Sequence, residues 1–355
     1  MLGLKLTRYR VLLALAIFGM ALVGIYLDQG EKMIEKNSIV GQAQTRTICI
    51  GRFLLDVPMD ATIVYGPARV PQLIERYRDS AQDIGKFETD FMARLENTRY
   101  LADGDLVKPE SMLGKAINGA RTGQKILFGV GEGSGDFYDL ESLIPLGKDL
   151  FVQTTSAHGT AREYGNAVAK LNATAMRLRS RTEDEIPVEA GVCIDGGFIP
   201  DYDRTNKESV TMGIRLHDHD DVHISIELTK KDTVFASDGL ERRLAAGKEN
   251  AIRRNMGGWY SQIREIRRGP RIINKWHGYE ILARKPAQPG ENESHEFSFV
   301  SLGDAGNALL PTVEITLQTG VVGDSAAAMK PSVSDLEAVA IWDSIIRTLR
   351  RRAVK

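Results

Sequence analysis

An α+β fold of two tandem related domains, each an antiparallel sheet with helices packed on one face, is predicted for this 355-residue chain after an N-terminal transmembrane helix. Three observations carry that prediction. Short apolar segments bounded by Gly, Pro, Asn and Asp outnumber helical stretches, and they do not alternate strand with helix as a parallel sheet requires. A Cys, Gly, Phe and Asp/Pro pattern occurs twice, as TICIGRFLLDVP at 47–58 and VCIDGGFIPD at 192–201. Each copy leads, far downstream, to a strand and then an amphipathic helix with arginines near its end. One order of parts used twice implies duplication, and the length exceeds what one small core usually organises.

The elements follow in chain order. Residues 11–27 (VLLALAIFGMALVGIYL) are uncharged and reach ~25 Å as a helix at about 1.5 Å per residue, enough to span a bilayer at its lower limit. Lys5, Arg8 and Arg10 precede them, while Asp28, Glu31 and Glu35 offset Lys32 and Lys36 behind. That asymmetry leaves 1–10 in the cytoplasm and the body outside. A cleaved signal peptide is the alternative, and both readings export the chain. Residues 28–44 are polar and suit a tether.

The first domain is expected over 45–186. It has a strand at 62–65, a helix over 71–96 with Leu73, Ile74, Tyr77, Ile84, Phe87 and Phe91 on its apolar side, and a hairpin of 124–130 with 136–143. A strand at 150–155 precedes a helix whose Tyr164, Val168, Leu171, Ala175 and Leu178 repeat at helical spacing. The charged run before Pro187 marks the boundary. The second domain, 187–355, repeats the pattern. It has a hairpin of 209–216 with 222–228, a helix over 239–255, strands near 263, 278–283, 296–301 and 312–317, and a last helix through Val339, Trp342, Ile346 and Leu349 that ends in Arg347, Arg350, Arg351 and Arg352. Made separately, the two halves are each expected to fold.

Composition narrows the function. A net charge of −1 argues against binding nucleic acid through the protein's field, and 43% hydrophobic with 26% charged residues is ordinary globular usage. No motif supplies chemistry. The glycine-rich 129–135 (GVGEGSG) lacks the Lys-Ser/Thr ending of a phosphate loop and joins two strands, so it reads as a hairpin turn. His217, His219 and His223 with Asp218, Asp220 and Asp221 have ligand-type side chains, yet they compose a solvated hairpin tip as readily as a zinc site. There is no G-x-S-x-G elbow, and His158 and His277 are isolated. Trp259, Trp276 and Trp342 read as core anchors. Neither a catalytic residue, nor a cofactor, nor a metal is assigned, which in an exported chain of this size favours binding over catalysis.

The two cysteines, Cys49 and Cys193, sit at matching places of the two copies and face an oxidising compartment. A disulfide between them would tie the domains together; two separately buried thiols are the alternative.

CIGRFLLDVP after an apolar segment and GVCIDGGFIPD opening a second domain resemble the type VI secretion lipase immunity proteins. Gly278-Tyr-Glu280, Glu296-Phe-Ser-Phe299 and Val313-Glu-Ile-Thr-Leu-Gln-Thr-Gly320 are similar to the C-terminal domain of that family, and the order of motifs covers most of 45–352. The resemblance implies a periplasmic protein, here held to the bacterial inner membrane by one span. Such a protein binds and silences a cognate phospholipase or lipase effector without catalysis, its two domains closing on it like a claw. An anchored envelope protein that binds lipid or another small ligand is the runner-up. The shared motifs are fold positions and transfer no contact residues. Loop tips held by a rigid scaffold are therefore the expected contacts: Gly131, Glu132, Ser134 and Asp136 in one half, His217, Asp218, His219, Asp220 and Asp221 in the other.

Overall fold

Two-residue alternation decides most of the strands. In 210–214 and 224–230 every second residue is buried, so one face must meet a core and the other must not. The computed structural model describes residues 44–96, 111–131, 137–201 and 207–355. The apolar segment 11–27 and nearly all of the tether lie outside the described residues. Among the described residues no helix is long and apolar enough to cross a membrane.

The first half runs β1 (Thr45–Ile50), β2 (Phe53–Pro58), β3 (Thr62–Tyr65), β4 (Ala68–Arg69), β5 (Leu73–Tyr77), α1 (Ile84–Glu96), β6 (Ala116–Asn118), β7 (Lys125–Val130), β8 (Phe137–Leu146), β9 (Asp149–His158), α2 (Ala161–Arg177) and β10 (Arg179–Ser180). The second runs β11 (Gly191–Ile194), β12 (Gly197–Pro200), β13 (Glu208–Arg215), β14 (His223–Lys230), α3 (Leu240–Arg253), α4 (Gly257–Tyr260), β15 (Arg264–Ile273), β16 (Trp276–Lys285), β17 (Ser294–Ser301), β18 (Thr312–Gln318), α5 (Asp335–Ile346) and β19 (Arg350–Arg351).

Among the described residues these strands build one 13-stranded sheet and two small three-stranded ones. The large sheet runs β15-β16-β17-β18-β14-β13-β4-β5-β9-β8-β7-β6, with β3 also on β13. Read outward from the β13/β4 junction, the two arms have the same connectivity: β14, β18, β17, β16, β15 on one side answer β5, β9, β8, β7, β6 on the other. The fold is therefore α+β and dominated by antiparallel sheet.

Three expectations need correction. The predicted helix 71–96 begins only at Ile84, and 73–77 is β5, paired with β9 from Leu73↔Thr154 to Tyr77↔Leu150. Sheet pairing outweighed the helical spacing of Leu73, Ile74 and Tyr77. Helices cover both faces of the sheet, not one. Ile126, Leu127 and Phe128 are consecutive and fully buried. Ile126 and Phe128 meet Ala167 and Leu171 of α2, whereas Leu127 meets Phe91 and Leu95 of α1 from the opposite side. A continuous apolar run is the mark of a strand covered twice. The last helix ends at Ile346, and Arg350 and Arg351 form a strand on β2 instead of a basic final turn.

The core crosses the predicted boundary. Across the sheet one buried row reads Ile63, Ile214, Ile224, Leu317, Phe297 and Leu282. Above it α5 inserts Trp342, which meets Phe297 edge-on at 6.0 Å and donates Nε1–H to the buried carboxylate of Glu280 at 2.9 Å. The short end strands are exchanged: β10 of the first half pairs with β12, and β19 of the second half pairs with β2. The turns of both Cys hairpins need glycine. Gly51 and Gly196 each have φ of +57°, and a side chain at Gly196 would run into the Arg76 guanidinium.

Candidate partner interface

The first predicted tip is described only at Gly131, which is buried and donates its N–H to Phe137 O at 2.9 Å. Gly131 therefore closes the hairpin and offers no contact surface; Glu132, Ser134 and Asp136 lie outside the described residues. At the second tip His217, Asp218 and Asp220 are exposed, and His219 is half-buried with Nδ1 3.0 Å from Ser332 Oγ. Asp221 departs from the expectation. It is buried, and its Oδ2 accepts from the backbone N–H of Gly320 at 2.8 Å and of Ser332 at 3.1 Å. Burial raises its pKa, but hydrogen bonds from Ser332 and Gly320 outweigh it and hold the carboxyl below its usual range. Asp221 pins a loop and leaves its neighbours to face outward. Among the described residues no group of three or more His, Cys, Asp or Glu gathers as a metal site.

Two surfaces lie away from the predicted tips. The sheet face opposite the buried isoleucine row carries Val64, Gly213, Ser225, Thr316 and Ser298 in register, and all but Ser298 stay partly open. Beside it lies a groove of about 680 Å³ between α3, α4 and strands β16 and β17. The topological counterparts α1 and α3 differ: α1 buries Phe91 and Leu95, whereas α3 buries Leu240 alone. Ile252 and Met256 are left exposed, at 59% and 41%. Trp259, predicted as a core anchor, lines the groove half-exposed, while Trp276 and Trp342 are buried as expected. The signal in the sequence is the sparse apolar side of LERRLAAGKENAIR, too thin to bury a whole helix.

A rigid joint connects the arms. Cys49 and Cys193 are fully buried and disulfide-bonded, and next to them Gly51 and Cys193 exchange backbone hydrogen bonds at 3.0 and 2.8 Å. Arg52, in the turn after Gly51, forks onto both Asp201 and Glu208 with hydrogen bonds of 2.5–2.7 Å. Burial works against its charge, yet these two carboxylates raise its pKa above the ordinary value. Arg352 reaches back from the C-terminal end to donate to the carbonyls of Pro187, Glu189 and Gly191. Paired or caged cations at a buried joint fix geometry more than they add stability.

One arrangement imitates a hydrolase. His295 lies 3.1 Å from Thr319 Oγ1 and 2.9 Å from Asp335 Oδ1. Both His295 and Thr319 are buried, and the threonine hydroxyl already accepts the His295 backbone N–H at 2.8 Å, so no substrate can reach it. Its role is to anchor α5. Burial raises the Asp335 pKa, but hydrogen bonds with His295, Arg264 and Arg284 bring it down to about 2, against an ordinary 3.8. A depressed carboxylate contributes stability above its unfolded pKa and loses it as pH falls through the folded one. The anchoring of α5 is thus expected to weaken between about pH 4 and 2. Acid titration followed by Trp342 fluorescence should show a step in that window which Asp335→Asn removes; an unchanged titration in the variant would disprove the assignment.

Residues 185–354 match the family described as Tle cognate immunity protein 4, C-terminal domain. These residues belong to that family. The matched stretch runs from the residues before β11 to the C-terminal tail, and includes Cys193 and Arg352 of the joint, the exposed 217–220 tip and the α3 groove. Solved structures extend the likeness to the first half. The apo immunity protein TplEi of the type VI secretion system from Pseudomonas aeruginosa is 20% identical, with a TM-score of 0.66 over 89% of this chain and 100% of that one. A chain from the Tle4–Tli4 complex is 21% identical, with a TM-score of 0.67 over 88% and 98%. TplEi complexed with an "L" peptide is 22% identical, with a TM-score of 0.60 over 87% and 98%. No curated protein matches the chain.

Proposed function

We propose that this chain is an immunity protein that binds and neutralises a cognate type VI secreted lipase or phospholipase effector, without chemistry of its own. The match of 185–354 to the immunity-protein C-terminal domain carries this reading, and the fold shared with TplEi and with a chain of the Tle4–Tli4 complex supports it. The buried state of the His295 arrangement agrees with a binding role. The repeats 45–186 and 187–355 act as two lobes that touch one partner at separate patches. Linking two patches makes the second contact intramolecular and raises affinity by ~10²–10⁴-fold. The joint at Cys49, Cys193 and Arg52 holds the lobes at one opening and reduces the ordering cost of binding. The segment 11–27 anchors the body to the inner membrane on its periplasmic side, where an exported lipase would act.

The test is direct. Purified body is mixed with a type VI secreted lipase of the class proposed as its partner, and phospholipid hydrolysis is measured. Stoichiometric loss of hydrolysis is expected, and unimpaired turnover at saturating body would sink the proposal. Reversing the exposed tip with Asp218→Lys and Asp220→Lys is expected to weaken inhibition about tenfold, mostly through slower association. Unchanged inhibition would remove that tip from the interface.

A further inference from the structure

The two helices on the outer face of the sheet occupy equivalent places in the two arms, yet only one is seated. Phe91 and Leu95 fill the space beneath α1. Beneath α3 the corresponding space is the open groove, with Leu244, Ala251, Ile252, Trp259, Ile281 and Ala283 supplying its apolar lining. Its volume is that of a ligand cleft. Gly247 of α3 faces it, and a Cβ added there would meet no atom within 4 Å.

Charge indicates the occupant. The carboxylates that line the groove are already matched: Glu265 pairs with Arg268, and Glu296 with Lys285. Arg243 is matched as well, forking onto Glu314 at 2.9 and 2.7 Å, which holds α3 over the sheet. Lys248 and Arg254 also line it, are exposed, and have no carboxylate partner among the described residues. The indole Nε1–H of Trp259 is buried and lacks an acceptor. An apolar floor, an unmatched positive rim and a spare donor fit a segment that carries apolar side chains next to carboxylates.

We propose that the α3 groove seats an apolar, carboxylate-flanked segment of the effector, completing on binding the packing that α1 has already made for itself. This rests on the immunity reading and adds to it the place and chemistry of one contact. The contact explains why α3 lies on the sheet without burying its apolar side: Ile252 and Met256 are covered by the partner.

The chain has three tryptophans, two of them buried in the core. Labelling with 5-fluorotryptophan therefore gives one ¹⁹F resonance from the groove and two from the interior. Addition of the unlabelled effector is expected to shift the Trp259 resonance and leave the other two in place. Gly247→Leu, which fills the groove and favours the helix, is expected to weaken inhibition at least tenfold with an unfolding midpoint no lower than that of the native chain. Lys248→Glu with Arg254→Glu should weaken it about tenfold with the fold intact. If the wild-type body inhibits and all variants inhibit equally well with Trp259 unmoved, the groove proposal is wrong and the immunity reading stands. If the wild-type body does not inhibit, the immunity reading itself fails. A Trp259 shift produced by phosphatidylglycerol vesicles and not by the effector would overturn the proposal in favour of a lipid site.

Discussion

A chain divided between Ile186 and Pro187 is expected to yield two fragments that do not fold when made alone, the reverse of what the tandem repeats suggest in the sequence. Each fragment would lose pairings that only the other supplies. β3 and β4 would leave β13, β19 would leave β2, and β10 would leave β12. The main core would be cut as well, because it runs from Ile48 through Trp342 to Leu349 with members from both halves. Exposing the buried isoleucines of β3, β13 and β14 costs roughly 25 cal/mol per Å² of apolar surface, and a domain has only about 5–15 kcal/mol in hand. Circular dichroism and amide exchange on each fragment should show no cooperative unfolding, while co-expression should restore a soluble pair that inhibits the effector. A cooperative transition in either isolated half would show that the exchanged ends are dispensable.

Removing the disulfide with Cys49→Ser and Cys193→Ser is expected to lower stability by up to about 5 kcal/mol, since the bridge spans 144 residues and long loops lose most entropy on closure. Both cysteines are fully buried, so reductant should act only after the joint has opened. The double variant should unfold at a markedly lower temperature than the native chain without reductant, and the native chain with reductant should approach it. Inhibition measured well below that midpoint should suffer less than in the divided chain, because Arg52 and the exchanged strands still hold the joint. Equal midpoints for the variant and the native chain would mean that the bridge adds nothing to the folded state.

Local signals were legible where they coincided with the final packing. The hairpin of β13 and β14 was read from two-residue alternation, α2 from the spacing of Tyr164, Val168, Leu171 and Ala175, and the pairing of Cys49 with Cys193 from their matching places in the repeat. The repeat itself was visible in the order of parts. Where periodicities overlapped the reading failed: Leu73, Ile74 and Tyr77 suit a helix or a strand, and β9 decided between them.

The amino-acid sequence by itself determined most of the strands and helices and that the order of parts is used twice. Those properties depend on neighbours within a few turns or one hairpin. The tertiary structure alone decided that the end strands cross between halves, that Asp221 and Gly131 are scaffold, and that α1 is seated while α3 stands over a groove. Each of these is settled by contacts between residues far apart in the chain. The free energy of such a contact depends on what fills the opposite side, and a single segment read alone carries no record of that.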